Sequence, residues 1–392
     1  MEEEPLRHLA HTPRTGRSSP AALRHPGAGT GLVVAVAVAF TACGEPTRPG
    51  EEGGEFFPGE CNLEARYLFS SPVGRGGIPI LDNPEFVSAE PSEENSYLQD
   101  GDRVIGLVRD GQALAIPHNI LWYHEIVNLD GEEPISVTYC PLTASSLAFG
   151  REATGGRRFG VSGVLFMNNL IMYDIGSGES FWPQMFGDAR CGPREGTVLS
   201  RVPVVEMTWA GWKDLHPETL VVSSEVNISR DYATNPYGDY DSIESDEFLF
   251  PQMPPLDRRR PVKERVLGLP SAAAEPGIAF PFQALVDEPG SWSVVYTTWK
   301  GLDAVVFWSD QRRGGAVFHP HHPDTGEPLT FRVETTSGIV DDETGTRWDA
   351  AGTAVEGPLT GVTLEPFPEA YTAYWGAWAA FHPTTRLWAG ND

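Results

Sequence analysis

Two stretches decide how this chain is built: "TWAGWKDLHPETLVV", residues 208–222, and "YWGAWAAFHPTTRLW", residues 374–388. Each reads Trp-x-x-Trp, three residues, then His-Pro-x-Thr. Trp209 answers Trp375, Trp212 answers Trp378, His216 answers His382, Pro217 answers Pro383 and Thr219 answers Thr385. The offset is constant, and a repeat of this kind fixes an architecture before any single element does. Upstream, "GSGESFWPQMFGDARCGPREGTVLSRVP" answers "ETGTRWDAAGTAVEGPLTGVTLEPFP", with Trp182 against Trp348 and Gly192-Pro193 against Gly357-Pro358. Further back, "RVIGLVRDGQALAIP" answers "RVLGLPSAAAEPGIAFP", and "ISVTYCPLTASSLAFG" answers "AVVFWSDQRRGGAVFH". The chain therefore reads as a tandem duplication, residues 62–222 and 255–392, joined by the acidic segment 223–254. The paired histidines His216 and His382 each follow a Trp-rich turn, which points to packing or capping.

Local patterns are mostly strand. "RVIGLV" and "ALAI" flank Asp110-Gly111, a hairpin turn signal. "ISVTYC" alternates, with Ile135, Val137 and Tyr139 on one face and Ser136, Thr138 and Cys140 on the other. "RRFGVSGVLFMNNLIMYD" reads as two strands around Asn168-Asn169. Short helices fit "HNILWYHEIVN" and the two Trp-x-x-Trp segments. In the first of these, Ile120, His124 and Val127 share one helical stripe, so His124 faces inward. With 42 Gly and 34 Pro supplying turns, the expected fold is mainly β with a few short helices: two tandem related β lobes packed about a pseudo-twofold axis.

The net charge of -26 argues against nucleic acid as a partner, because phosphate recognition needs basic stripes. At the N-terminus, "RHPGAGTGLVVAVAVAFTACGEPTRPG" places Arg24 and His25 before an apolar run from Leu32 to Phe40. The run is too short to span a bilayer but suits a signal h-region. "FTAC" resembles the lipobox of bacterial lipoproteins, which makes Cys43 the lipidated residue and the membrane a partner through its N-terminal lipid. Residues 1–42 are then a leader and 43–61 a flexible tether, and the protein is exported and lipid-anchored to the cell envelope. Cys61, Cys140 and Cys191 remain. Cys61 with Cys191 is the expected disulfide, leaving Cys140 as the free thiol.

With "IPILDNPEF", "RVIGLVRDGQALAIPHNILWYHEIVN", "PISVTYCPLT", "FGVSGVLFMNNLIMYD" and "WPQMFGDA" in hand, the chain resembles the domain-of-unknown-function 3179 family of bacteria and archaea. The resemblance covers nearly everything after the tether and implies no established activity. The family pattern reads Cys-Pro-Leu-Cys where this chain has Cys140-Pro141-Leu142-Thr143, so one thiol stands where the pattern carries two. Ile175 stands where an Arg usually follows the Tyr-Asp that is here Tyr173-Asp174.

The duplication offers an internal control on chemistry. Cys140 falls opposite Ser309, His118 opposite Phe282, the His124-Glu125 region opposite "VDEPGSW", Tyr173 near Val340 and Gln184 near Ala350. Residues shared by both copies specify the fold, and residues restricted to the first copy mark a candidate site. Three readings follow. In the first, the protein is a non-catalytic binding or envelope-structural protein, with His118, Tyr173, Asp174, Trp182 and Gln184 lining a pocket for a small ligand. In the second, His118, His124, Cys140 and a thioether, Met167 or Met172, hold copper or another soft metal. In the third, Cys140, His124 and Glu125 form a thiolate nucleophile with its base and orienting acid. The cluster His319, His321, His322 and Asp324 lies between apolar strands and reads as a turn. No phosphate loop, nucleophile elbow or His-Glu-x-x-His motif is present.

Overall fold

The structure, a computed structural model, describes residues 61–226, 228, 230–271, 275–334 and 338–390. The leader, the lipidation candidate Cys43 and nearly all of the tether lie outside the described residues. Within them the chain is mainly β, with three seven-residue α-helices. None is long and apolar enough to cross a membrane among the described residues.

Strands Arg103–Arg109 and Gln112–Pro117 form the hairpin expected from Asp110-Gly111. Both turn residues take positive φ, the conformation that two-residue hairpin loops require. Pro117 ends the second strand, and its fixed φ leads directly into α1, His118–His124. Glu125 then takes φ 57°, which stops the helix and swings the chain into strand Ile126–Leu129. That strand pairs antiparallel with Ile135–Cys140, which pairs with Ser145–Gly150. Phe159–Phe166 and Asn169–Asp174 form a hairpin around Met167 and Asn168, both at positive φ. Strand Val205–Thr208 leads into α2, Trp209–Leu215, followed by Leu220–Val222.

The same order recurs downstream. Arg265–Leu269 and Ile278–Pro281 form a hairpin, Trp292–Trp299, Leu302–Ser309 and Gly314–Phe318 form a meander, and Tyr371–Tyr374 leads into α3, Trp375–Phe381. Pairing recurs with it. Val205–Thr208 lies beside Arg103–Arg109, which lies beside Gln112–Pro117, which lies parallel to Leu220–Val222. Tyr371–Tyr374, Arg265–Leu269, Ile278–Pro281 and Arg386–Leu387 repeat that sequence of neighbours, parallel final pair included.

A nine-stranded sheet takes strands from both halves, so their boundary runs through a sheet. The join is Thr372 beside Ser146. Backbone bonds tie the halves twice at equivalent places: the Tyr374 amide donates to the Thr143 carbonyl at 2.8 Å, and the Thr208 amide to the Arg312 carbonyl at 3.0 Å. The acidic segment between the halves is not wholly solvated. Its Tyr232 is buried, Phe250 stacks on Phe69 at 3.9 Å, and Tyr240 bonds the Leu142 carbonyl at 2.8 Å. Its aromatic residues, not its carboxylates, decide where it lies. Cys61 and Cys191 are disulfide-bonded, as expected.

Candidate functional site

Cys140 ends a fully buried strand of the nine-stranded sheet. Alternation sends its side chain into the core that holds Met172, Trp182 and Phe381, while Tyr139 points to the opposite face. The thiol donates to the Asn168 carbonyl at 3.5 Å. Burial, with the nearby Glu125 carboxyl adding to it, pushes its pKa up to about 11. A thiol so placed stays protonated near neutrality, where a nucleophile or a soft-metal ligand must ionise.

His118, at the start of α1, stacks on Tyr139 with ring centroids 3.9 Å apart. The Ser146 hydroxyl donates to Glu206 Oε2 at 2.5 Å, so its oxygen accepts from His118 Nε2 at 3.3 Å. Burial holds this imidazole neutral, its pKa lowered to about 3. His124 faces inward, but the expected stripe is cut short: the helix ends at His124, and Val127 lies in strand Ile126–Leu129. Its Nδ1 donates to the Pro79 carbonyl at 2.8 Å and its Nε2 accepts from the Tyr232 hydroxyl at 2.7 Å. Neither nitrogen is left for a thiol or a metal.

Asp174 accepts from Trp182 Nε1 at 3.0 Å, from the Ser180 amide at 2.7 Å, and from Arg157 and Arg194 at 3.0 and 2.9 Å. Tyr173 is half-buried, its ring under the Arg75 guanidinium at 4.0 Å. Gln184 spends its whole amide on buried partners: Oε1 accepts from Ser145 and Asn169 at 2.5 and 2.8 Å, and Nε2 donates to Thr138 and the Ser145 carbonyl at 2.9 and 3.1 Å.

This geometry bears on two sequence expectations. The thiol–imidazole pair of Cys140 and His124, with Glu125 as orienter, is not assembled, because the imidazole's hydrogen bonds go elsewhere. The soft-metal set is split: Cys140 and Met172 share one core, His118 stacks on the other face of the sheet, and His124 bonds Tyr232 in that second cluster. Among the described residues, no group of three or more His, Cys, Asp or Glu side chains is arranged to hold a metal ion. His319 stacks on Phe367 and His322 accepts from the Asp324 amide, so the histidine-rich stretch is a turn.

The family model described as "Protein of unknown function (DUF3179)" matches residues 75–385. The chain belongs to that family. No curated protein and no solved structure matches it.

For this DUF3179 chain, the second half tells framework from chemistry. Register places Phe282 and Trp308 where His118 and Tyr139 stand, and those rings also pack together, tilted at 53° with centroids 4.3 Å apart. Asp341 accepts from Trp348 Nε1 at 2.9 Å, as Asp174 does from Trp182. His118, Asp174 and Trp182 thus do a framework task that both halves carry. Cys140, Glu125 and Gln184 have no such counterpart.

Other members of the interior were not legible in the sequence. Glu206 accepts from Arg103 and, at 3.1 Å, from Arg265, two arginines at equivalent positions of the two halves. Burial works to raise its pKa, but the two guanidinium charges outweigh burial and hold it at about 2. Buried polar atoms without a hydrogen-bond partner include the Tyr374 hydroxyl, Glu125 Oε2 and Lys263 Nζ, the last two near Cys140. Lys263 Nζ sits 3.2 Å from the ring centroid of Tyr240, 4.5 Å from Phe248 and 4.9 Å from Tyr374. Burial lowers its pKa to about 7, against the pull of Asp241 and Cys140. Its only signal in the sequence is rarity, as one of three lysines.

Proposed function

We propose that this chain is a non-catalytic, exported, lipid-anchored binding protein of the cell envelope. Its interior site is centred on Cys140, with Glu125 and Lys263 near it. The observation that carries the reading is a buried thiol that faces a carboxyl group and has no imidazole. Glu125 raises the thiol's pKa, the reverse of what a thiolate nucleophile or metal site requires. The buried, unpartnered Glu125 Oε2 and Lys263 Nζ each call for a small polar guest, water included. Export is supported by the apolar run before Cys43 and by the Cys61–Cys191 disulfide, a bond of oxidising compartments. The acidic balance speaks against nucleic acid as the partner.

Alkylation tests the reading. Intact protein treated with iodoacetamide at pH 8 should remain unlabelled at Cys140, and urea should expose one reactive thiol. Rapid labelling of the native protein, slowed by His124→Gln, would instead establish thiol chemistry. A stoichiometric soft metal in protein purified without chelators would also overturn the proposal.

A further inference from the structure

A cleft at the seam of the two halves lies where two bulky side chains of the matching seam have no counterpart. Val205 lies opposite Gly106, and Tyr371 lies opposite Gly268, each at the start of the strand that feeds a Trp-x-x-Trp helix. In the C-terminal half, His382 Nδ1 accepts from the Ser271 amide at 3.3 Å, so its Nε2 carries the proton and donates to the Tyr371 hydroxyl at 2.7 Å. His216 occupies the matching place after α2. Val205 offers it no hydroxyl, and His216 Nε2 is buried without a hydrogen-bond partner.

The second difference is at Arg201. This residue pairs with Phe149 across strands, and Pro366 bridges Phe318 in the same way. Gly187 lies against Phe149 as Gly352 lies against Phe318, both at positive φ. The Arg201 guanidinium covers the Tyr371 ring at 4.9 Å and donates to the Met185 carbonyl at 3.0 Å. Pro366 has nothing comparable to extend. One seam is therefore filled by Arg201 and Tyr371. At the other, Pro366 and Val205 leave a cavity of about 340 Å³, lined also by Trp212, His216, Phe318 and Phe367. Val108 stands at its rim, 59% exposed.

We propose that this cleft binds a small, mainly hydrocarbon molecule bearing one hydroxyl or carboxyl group. The hydrocarbon packs against Trp212, Phe318 and Phe367, and the polar head meets His216 Nε2. The size suits a small-molecule site, and an apolar lining with one fixed polar group is how such sites orient a ligand. Burial lowers the imidazole's pKa, which favours a neutral ring that pairs with either head group. The site is separate from Cys140 and its neighbours and stands or falls independently of them.

Calorimetry with decanoic acid and 1-decanol on the full chain tests the proposal. Saturable binding of one equivalent is expected. Val205→Tyr restores the missing phenol and Pro366→Arg the missing guanidinium, and each should abolish binding while the melting temperature is kept. His216→Phe keeps the ring volume and should weaken 1-decanol about tenfold, the worth of one hydrogen bond. Cys140→Ser should leave binding unchanged. The proposal is overturned by no binding to the wild-type chain, or by binding that survives both filling variants. Uptake only from phosphatidylcholine vesicles, with none of the free compounds, would also overturn it. A filling variant that fails to fold leaves the decision to the other and to His216→Phe.

Discussion

Glu125 concentrates more constraint than any other residue of the site. It holds φ at 57°, a region that L residues other than Asn and Asp seldom visit, and it buries a carboxyl with one oxygen unpartnered. Burial raises its pKa to about 8 from an ordinary 4.5, so the folded chain holds it as the neutral acid. The linkage has a definite sign. The contribution is complete below about pH 4.5, where the unfolded chain is also protonated. It is lost between about 4.5 and 8, as the unfolded chain ionises and the folded one does not. Glu125→Gln should therefore flatten the pH dependence of urea stability in that window, removing a slope of about 1.4 kcal/mol per pH unit. An unchanged slope would mean that the carboxyl is ionised in the folded protein. Little in the residue pattern around Glu125 warns of this. The inward face of His124 was legible from helical spacing. Its partners were not, since Pro79 and Tyr232 lie 45 and 108 residues away in the chain.

At the scale of elements, most of the fold could be read. Asp110-Gly111 and the turn at Met167 and Asn168 form hairpins, and each Trp-x-x-Trp run forms a helix. The reason the two Trp helices repeat so closely lies in their glycines. A Cβ on Gly106 would meet the Trp212 ring at 2.4 Å, and one on Gly268 would meet Trp378 at 2.5 Å. Each indole then donates to a threonine, Trp212 to Thr219 at 2.8 Å and Trp378 to Thr385 at 3.0 Å. Gly268→Ala should cost about 1–3 kcal/mol, the usual penalty for overpacking a filled core, read as a lower melting temperature. A neutral effect would show that Trp378 can move aside. What element patterns conceal is contact across the seam. Lys263 sits in the half that reads as degenerate, yet it lies near Cys140 in the other. Composition alone likewise hid the packing of the acidic segment.

Across the whole molecule, the two halves share a frame, and the chemistry lies where they depart from it. Glu206 holds Arg103 and Arg265 together, and the nine-stranded sheet runs through both halves. The departures are Cys140 with its unpartnered neighbours on one side and the cleft beside His216 on the other. The account depends on the frame being one cooperative unit, so that both sites rest on the same scaffold. Native-state hydrogen exchange at the two crossing amides, Thr208 and Tyr374, tests this most directly. Both should exchange only through global unfolding, with the same dependence on urea. If one amide opens at low urea while the other stays protected, the halves unfold separately and the shared frame is contradicted.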